Sequence, residues 1–441
     1  MSLHPVLAEK LSAALEPAPK VALTERDARL PAVPGKVHAV IGMRRAGKTI
    51  FLRQLLEECR GRLPSERAIY LSLDDDRLAT IGVEQLGFLL EEYYRRHPEL
   101  RGKESVHWFL DEIQLVPEWE RFARRVLDSE KVELVVSGSS ARMLSREVHT
   151  SLRGRGMATV IRPFSFREFL RHRNEEPVKE PRRWTAAERS LVEKRFREYL
   201  TEGGFPETQG LAEAWRIELL QGYVDTVLFR DVVERHEVTQ VAALRWLVRH
   251  CLRNPAGRFS VHRLHQDMRA QGHGVAKDAV HAMLGHLLDA FLLSAVPLAT
   301  ESERQRNSNP RKIYPADAGL NRAFDVSGRS NLGHALETVV LLELERRGAE
   351  VGYVKTADGF EVDFLARHLA AGEELIQVCA DVAKPETLNR ELRALFGGAR
   401  EHRRAARRLL LLDRDGLAAV NAPEVEAQPA YEWLLAAPDE D

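Results

Sequence analysis

The sequence has little cysteine, little lysine, almost no net charge and no long apolar run. Its three cysteines, Cys59, Cys251 and Cys379, lie far apart and form neither a CxxC nor a zinc spacing. A disulfide framework is thereby excluded, and a reducing, cytoplasmic setting is expected. No stretch approaches the ~20 apolar residues of a membrane span, so no membrane partner is expected. The opening MSLHPVLAEKLSAALEPAPK is charged throughout and lacks the apolar centre of a secretory signal; residues 1–20 read as a leader helix. Lys and Arg number 65 against 66 Asp and Glu, a formal charge of -1. No global field therefore draws the chain onto a polyanion, and any nucleic-acid contact must come from local patches. Only 12 of those 65 cations are lysine, a skew that reflects base composition before function. No repeat of 20–50 residues is present, which excludes a solenoid or propeller.

What is present is a globular composition, 44% hydrophobic and 30% charged, over 441 residues, a length that suggests about three domains. Across residues 36–164, short apolar runs (KVHAVIG, AIYLSLD, VHWFLDE, VELVVSG, ATVIRPF) alternate with amphipathic helical stretches. Near-continuous hydrophobicity in runs of five to eight residues predicts strands buried on both faces, hence a parallel sheet between helices. Residues 21–165 are expected to form this α/β domain. Residues 166–325 read as helical, with two stretches joined by QGHGV, then FLLSAVPL, a polar basic loop ERQRNSNPRK and IYPAD: the outline of a winged helix. Residues 326–441 read as a third, small α/β domain whose acidic tail after Val425 frays.

Residues 42–49, GMRRAGKT, match G-x-x-x-x-G-K-[ST] between a predicted strand and the helix TIFLRQLLEE. Glycines let backbone amides turn inward around phosphate oxygens, and the helix N-terminus adds its dipole. Gly42, Met43, Arg44, Arg45, Ala46, Gly47, Lys48, Thr49 and Ile50 are thus candidate nucleotide-binding residues. Lys48 is placed on the β- and γ-phosphates of ATP, and Thr49 on Mg2+. In VHWFLDEIQ, Asp111 is the candidate acid for the Mg2+ hydration shell and Glu112 the candidate base for the attacking water; a strand-end Asp-Glu also serves as a helix cap. Ser137, ending the next strand, suits the γ-phosphate or the water equally with capping a helix. Arg153 and Arg155 are candidates for γ-phosphate sensing within a subunit or across an oligomer interface, with an ordinary surface role equally open.

Together GMRRAGKT, LDEIQ, SGSS, LRGR, RPFSFREFL, YLTEGGFPE, FRDVVERH and EVDF…LIQV resemble the bacterial and archaeal AAA-type ATPases that carry a C-terminal nuclease-like domain. The resemblance spans residues 21–412. It implies an α/β fold: a P-loop ATPase parallel sheet, a helical and winged-helix region, and a small α/β restriction-endonuclease-like domain. Nucleases of that kind need an acid on one strand and acid-x-Lys on the next to bind Mg2+ and activate water. Glu337 and Asp363 are suitably placed, but Gln377 and Cys379 stand where the acid and the lysine belong. The domain is therefore expected to keep the fold without the cleavage chemistry.

The helical region carries Arg258, His262, Arg263, His265, Arg269, His273 and Lys277, the wing adds Arg304, Arg306, Arg311 and Lys312, and REHRRAARR follows at 400–408. Such cations bind phosphates well and specify sequence poorly. The expectation is a cytoplasmic Mg2+-ATP hydrolase that couples turnover to binding or remodelling DNA. A homo-oligomer is expected, with a hexamer as one candidate size. A nucleotide-dependent switch read by a protein partner is the first alternative, and an ATP-gated Mg2+ nuclease the second.

Overall fold

The protein is described by a computed structural model covering residues 2–16, 23–139, 152, 154–325, 331–369, 372–382 and 385–436. The chain divides into two compact units. One comprises Met1–Arg162 with Asp289–Phe291, and the other Pro163–Leu288 with Leu292–Asp441. No helix among the described residues is long and apolar enough to cross a membrane.

The first unit holds helices α1 (Pro5–Leu15), α2 (Lys48–Arg60), α3 (Val83–Arg96) and α4 (Trp119–Ser129). Its strands are β1 (Val37–Ile41), β2 (Ala68–Ser72), β3 (Val106–Asp111), β4 (Val132–Gly138) and β5 (Gly156–Val160), in spatial order β2-β3-β4-β1-β5. Every pairing is parallel. Alternate side chains leave opposite faces of such a sheet, and both faces are covered. Val37, Ala39, Ile41, Trp108, Leu110, Leu134 and Val136 join α1, α3 and α4 in one core. Val40, Phe109 and Val135 meet Phe51, Leu52 and Leu56 of α2 in the other. Helix α4 shows the local logic: Trp119, Phe122, Ala123 and Val126 recur at helical spacing and are the residues it buries. Because β4 lies between β3 and β1, the strand ends carrying Ser137, Asp111 and the P-loop are neighbours.

The second unit begins with α5 (Phe166–His172), α6 (Ala186–Glu202) and α7 (Glu213–Thr226), the last running into a π-helical segment, Val227–Val233. Then come α8 (Val241–Arg253), β6 (Arg258–Phe259), α9 (Val261–Ala270), α10 (Lys277–Asp289), β7 (Leu293–Val296), α11 (Glu303–Ser308) and β8 (Arg311–Pro315). The three strands form a small antiparallel sheet in the order β6-β8-β7. The basic stretch ERQRNSNPRK, expected as a loop, is ordered at both ends: its first six residues form α11, with Ser302 accepting from the Gln305 amide at the N-cap, and its last two open β8. After α12 (Ala318–Phe324) and α13 (Leu332–Arg346) comes a second five-stranded sheet. Its strands are β9 (Glu350–Lys355), β10 (Glu361–His368), β11 (Gly372–Cys379), β12 (Ala406–Leu411) and β13 (Glu426–Pro429), with α14 (Pro385–Glu401) and α15 (Ala430–Leu435).

The residues after Val425 do not fray. β13 pairs with β12, and α15 buries Tyr431, Trp433, Leu434 and Leu435 in the core that Phe166, Phe169, Phe196 and Tyr199 also fill. The apolar face of AYEWLL outweighs its acidic neighbours; only residues 437–441 lie outside the description.

One buried crossing explains the motifs RPFSFREFL and YLTEGGFPE. The Tyr199 hydroxyl and the Gly204 amide region meet the backbone of Phe164: Tyr199 donates to the Phe164 carbonyl (2.7 Å), and the Phe164 amide donates to the Gly204 carbonyl (2.7 Å). A Cβ on Gly204 would lie 2.2 Å from the Phe164 oxygen, so only glycine fits. Asp317 caps α12 and accepts from the amides of Gly204 (2.7 Å) and Gly319 (2.9 Å). Arg346 donates to the Pro163 carbonyl (2.8 Å).

Candidate active site: the P-loop and the strand-end acids

The P-loop leaves β1 at Ile41 and enters α2 at Lys48. Gly42 has φ +147° beside the backbone of Ile161, whose oxygen would sit 2.1 Å from a Cβ; any side chain there would break the fit between P-loop and β5. Gly47 takes a left-handed conformation at the N-cap of α2, and no side chain caps that helix, so its first amides point into the loop. Lys48 is buried, its ammonium donating to the carbonyls of Gly42 and Met43 at 3.1 Å each. Ile50 sits on the first turn and is partly exposed.

Thr49 faces the acid of β3. Its hydroxyl donates to Asp111 Oδ2 at 2.8 Å. The other carboxylate oxygen, Oδ1, accepts from the hydroxyl of Ser137, which in turn accepts from the Glu112 amide at 3.0 Å. Asp111 and Ser137 are both buried. Glu112 has φ +56°, a left-handed turn immediately after the strand that swings its carboxylate off the strand line. Gln114 donates to Glu112 Oε2. A hydroxyl and a carboxylate, hard oxygen donors in direct register at the head of a P-loop helix, suit Mg2+.

Two contributors escape a sequence reading. Tyr70 on β2 donates to Asp111 Oδ2 at 2.7 Å, and burial, with Asp111 beside it, holds the phenol well above its usual range. Arg26 is buried, donating through Nη1 to the Ala46 carbonyl of the P-loop (3.1 Å) and through Nη2 to the Arg162 carbonyl (2.5 Å). Strand order would have pointed to Tyr70; no sequence signal points to Arg26.

Arg153 lies outside the described residues, as does Ser140. Arg155 directly precedes β5, whose Gly156 pairs with Val37 at the start of β1. It therefore stands at the end of the sheet opposite the P-loop, roughly 16 Å away at ~3.3 Å per residue. It pairs there with Asp128 and is not brought to the P-loop.

The cations of the second unit separate into two groups. Arg258 pairs with Glu361 (3.2 Å), Arg306 with Glu350 (2.9 Å), Arg408 with Glu374 (2.9 Å) and Arg407 with Glu424 (3.2 Å). Lys312 is buried against Glu337, Glu361 and Asp363. Arg263, Arg269 and Lys277 are exposed on α9 and the start of α10. Arg245, Arg249 and Arg253, four residues apart on α8, form a further exposed row.

A family model described as an AAA domain matches residues 34–170. A second, described as a domain of unknown function, matches residues 193–331. Uncharacterized protein MJ1544 of Methanocaldococcus jannaschii is 32% identical over 385 residues, spanning 86% of this chain and 82% of that protein. An uncharacterized protein of Haemophilus influenzae is 26% identical over 352 residues, 79% of this chain and 83% of that protein. Among solved structures, the Walker-type ATPase PABY2304 of Pyrococcus abyssi aligns at 15% identity and a TM-score of 0.40, covering 73% of this chain and 95% of that one. The Aeropyrum pernix ORC1 protein, solved in complex with DNA, aligns at 18% identity and a TM-score of 0.28, covering 66% and 86%. The P-loop geometry, the AAA-domain match and the relationship to MJ1544 agree: the chain has an AAA-type P-loop ATPase domain and belongs to the same family as MJ1544.

Proposed function

We propose that the protein is a cytosolic, homo-oligomeric ATPase that hydrolyses Mg2+-ATP and couples the cycle to DNA. The observation that carries the ATPase reading is the 2.8 Å contact between Thr49 and Asp111 at the head of α2. Lys48 exchanges its loop carbonyls for the β- and γ-phosphates, where an ammonium offsets charge without needing a fixed geometry. Thr49 and Asp111 would hold Mg2+, which when bound would supply positive charge to the phosphate oxygens. Glu112 orients and deprotonates the attacking water, and Ser137 fixes Asp111 and the Glu112 backbone relative to each other. Arg155, remote from its own P-loop, fits a contribution to a neighbouring subunit better than one within the chain.

DNA contact is assigned to the winged-helix-like region, through the exposed Arg263, Arg269 and Lys277, with the α8 arginine row beside them. The test is steady-state ATP turnover with and without duplex, single-stranded and four-way-junction DNA at two salt concentrations, with Lys48→Ala as the blank. Stimulation by one form that weakens with salt supports the reading. Turnover indifferent to every DNA contradicts it and favours the second reading, a nucleotide switch read by a protein partner. One observation speaks for that second reading: Arg258, Arg306 and Lys312 are already engaged by acids of the same unit.

A further inference from the structure

Nucleases of the kind that the C-terminal domain resembles hold a divalent metal between acids placed like Glu337 and Asp363. The residues in place do not fit one. Gln377, at the position of the second acid, is buried with its amide consumed: Nε2 donates to Glu391 (2.7 Å), and Oε1 accepts from the Asp363 amide (3.2 Å). Cys379, at the position of the lysine, is buried, donates to the Asp381 carbonyl, and has its thiol pushed up to about 11, so it stays neutral. Among the described residues, no three His, Cys, Asp or Glu side chains are spaced to hold a metal ion as they stand.

A cation is nevertheless present. Lys312, on the central strand of the β6-β8-β7 sheet, reaches into the C-terminal sheet and is only 3% exposed. Its Nζ lies 2.7 Å from Glu337 Oε1, 3.1 Å from Asp363 Oδ1 and 3.2 Å from Glu361 Oε1. An ammonium has three N–H donors, and here three carboxylates receive them. Tyr314, two residues along β8, donates to the same Glu337 oxygen at 2.5 Å, and Arg258 on β6 supplies a second cation to Glu361 at 3.2 Å. Burial alone would pull the Lys312 ammonium down; Asp363, Tyr314, Glu337 and Glu361 more than reverse that and keep it charged. Backbone bonds seat the same junction: the Tyr353 amide donates to Pro297 (2.9 Å) and the Ala299 amide to Tyr353 (2.8 Å).

We propose that Lys312 is the resident cation of the nuclease-like domain: its ammonium takes the place of a divalent metal, closes the site to metal, and latches the β8 strand onto the C-terminal sheet. On this account a catalytic fold has become a receptor for a neighbouring strand. Three carboxylates gathered largely out of water, Glu361 the most exposed of them, need a positive partner, and one carried on β8 makes that partner part of the tertiary structure. The proposal does not rest on the ATPase reading, and its test removes the P-loop site from play.

The experiment uses the full chain with Lys48→Ala and Asp111→Asn as the parent, and Mn2+ as the probe, followed by electron paramagnetic resonance and thermal melting. The parent is expected to bind no Mn2+ through Asp363 and to melt at the same temperature with or without it. Adding Lys312→Met leaves the carboxylates uncompensated; a small inward move brings their oxygens to metal distance. That variant is expected to melt lower, to take up one Mn2+ and to regain stability from it, and the further change Asp363→Asn is expected to abolish the rescue. Lys312→Arg, which keeps a cation, is expected to behave as the parent. If Lys312→Met does not fold, Lys312→Met with Glu361→Gln has one carboxylate fewer to neutralise and carries the same test. Asp363-dependent Mn2+ binding by the parent overturns the proposal, as does a folded Lys312→Met variant that Mn2+ leaves unmoved.

Discussion

The hydroxyl of Thr49 and the carboxylate of Asp111 meet at 2.8 Å, tying the first turn of the P-loop helix to the end of the neighbouring acidic strand. Sixty-two residues separate them in sequence, and the parallel order β3-β4-β1 brings them together with Ser137 between.

Tyr70 shares Asp111 Oδ2 with Thr49. A partner that orients a ligating carboxylate typically matters 10–100-fold in metal affinity. Tyr70→Phe is therefore expected to raise the Mg2+ concentration needed for half-maximal turnover by about tenfold, with nucleotide binding in EDTA unchanged. An unaltered Mg2+ dependence would remove Tyr70 from the site.

Arg263, Arg269 and Lys277 are the exposed cations assigned to DNA. Each lost phosphate contact lowers the slope of log K against log salt by about 1. The triple alanine variant should bind duplex DNA more weakly at low salt and with a slope smaller by about 3, across unrelated sequences. A fluorescence-anisotropy titration with the wild-type slope would place DNA contact elsewhere, with the α8 arginines as the next surface to test.

Asp317 is fully enclosed, and burial pushes its carboxyl up to about 6 despite the two amides it accepts. Its folded value lies above its unfolded one, so the native state holds the proton more tightly. The stability this contributes is complete below about pH 4 and is lost as pH rises through about 6, a swing of about 3 kcal/mol at 1.36 kcal/mol per unit. The stability difference between wild type and Asp317→Asn should accordingly move against wild type between pH 4 and 7 in urea titrations. A difference that moves the other way contradicts the assignment.

Trp433 closes the core of the second unit from the last helix, with the Arg347 guanidinium 4.3 Å from its ring centroid. Trp433→Ala should cost about 3–5 kcal/mol, in line with other buried aromatic truncations. A loss of less than about 1 kcal/mol in unfolding free energy, read from urea titrations, would mean that α15 is dispensable.

The P-loop and the LDE motif are legible in the sequence because phosphate binding dictates residue types at fixed local spacing. The strands of the first sheet are legible for a similar reason: burial on both faces leaves an unbroken apolar run. Tyr70 is not legible. Its partner lies 41 residues away, and only the pairing of β2 with β3, Tyr70 beside Phe109, brings it to Asp111. The α15 helix is hidden by its setting, where Glu426 and Glu432 give an acidic look to a segment whose Tyr431 and Trp433 are core. Lys312 is the extreme case, because it reads as one of many wing cations until the fold sets it against acids 25 to 51 residues further along. Arg155 shows the converse: proximity in sequence to a functional strand does not place a side chain at that strand's functional end.

The central claim is that Glu112 activates water for attack on a nucleotide held by Lys48, Thr49 and Asp111. The direct measurement is single-turnover hydrolysis of radiolabelled ATP, with bound nucleotide quantified on the same samples, for wild type, Lys48→Ala and Glu112→Gln. The account predicts turnover by wild type, neither binding nor turnover by Lys48→Ala, and retained ATP with hydrolysis slowed by about 10²-fold or more in Glu112→Gln. Undiminished hydrolysis in Glu112→Gln would contradict it.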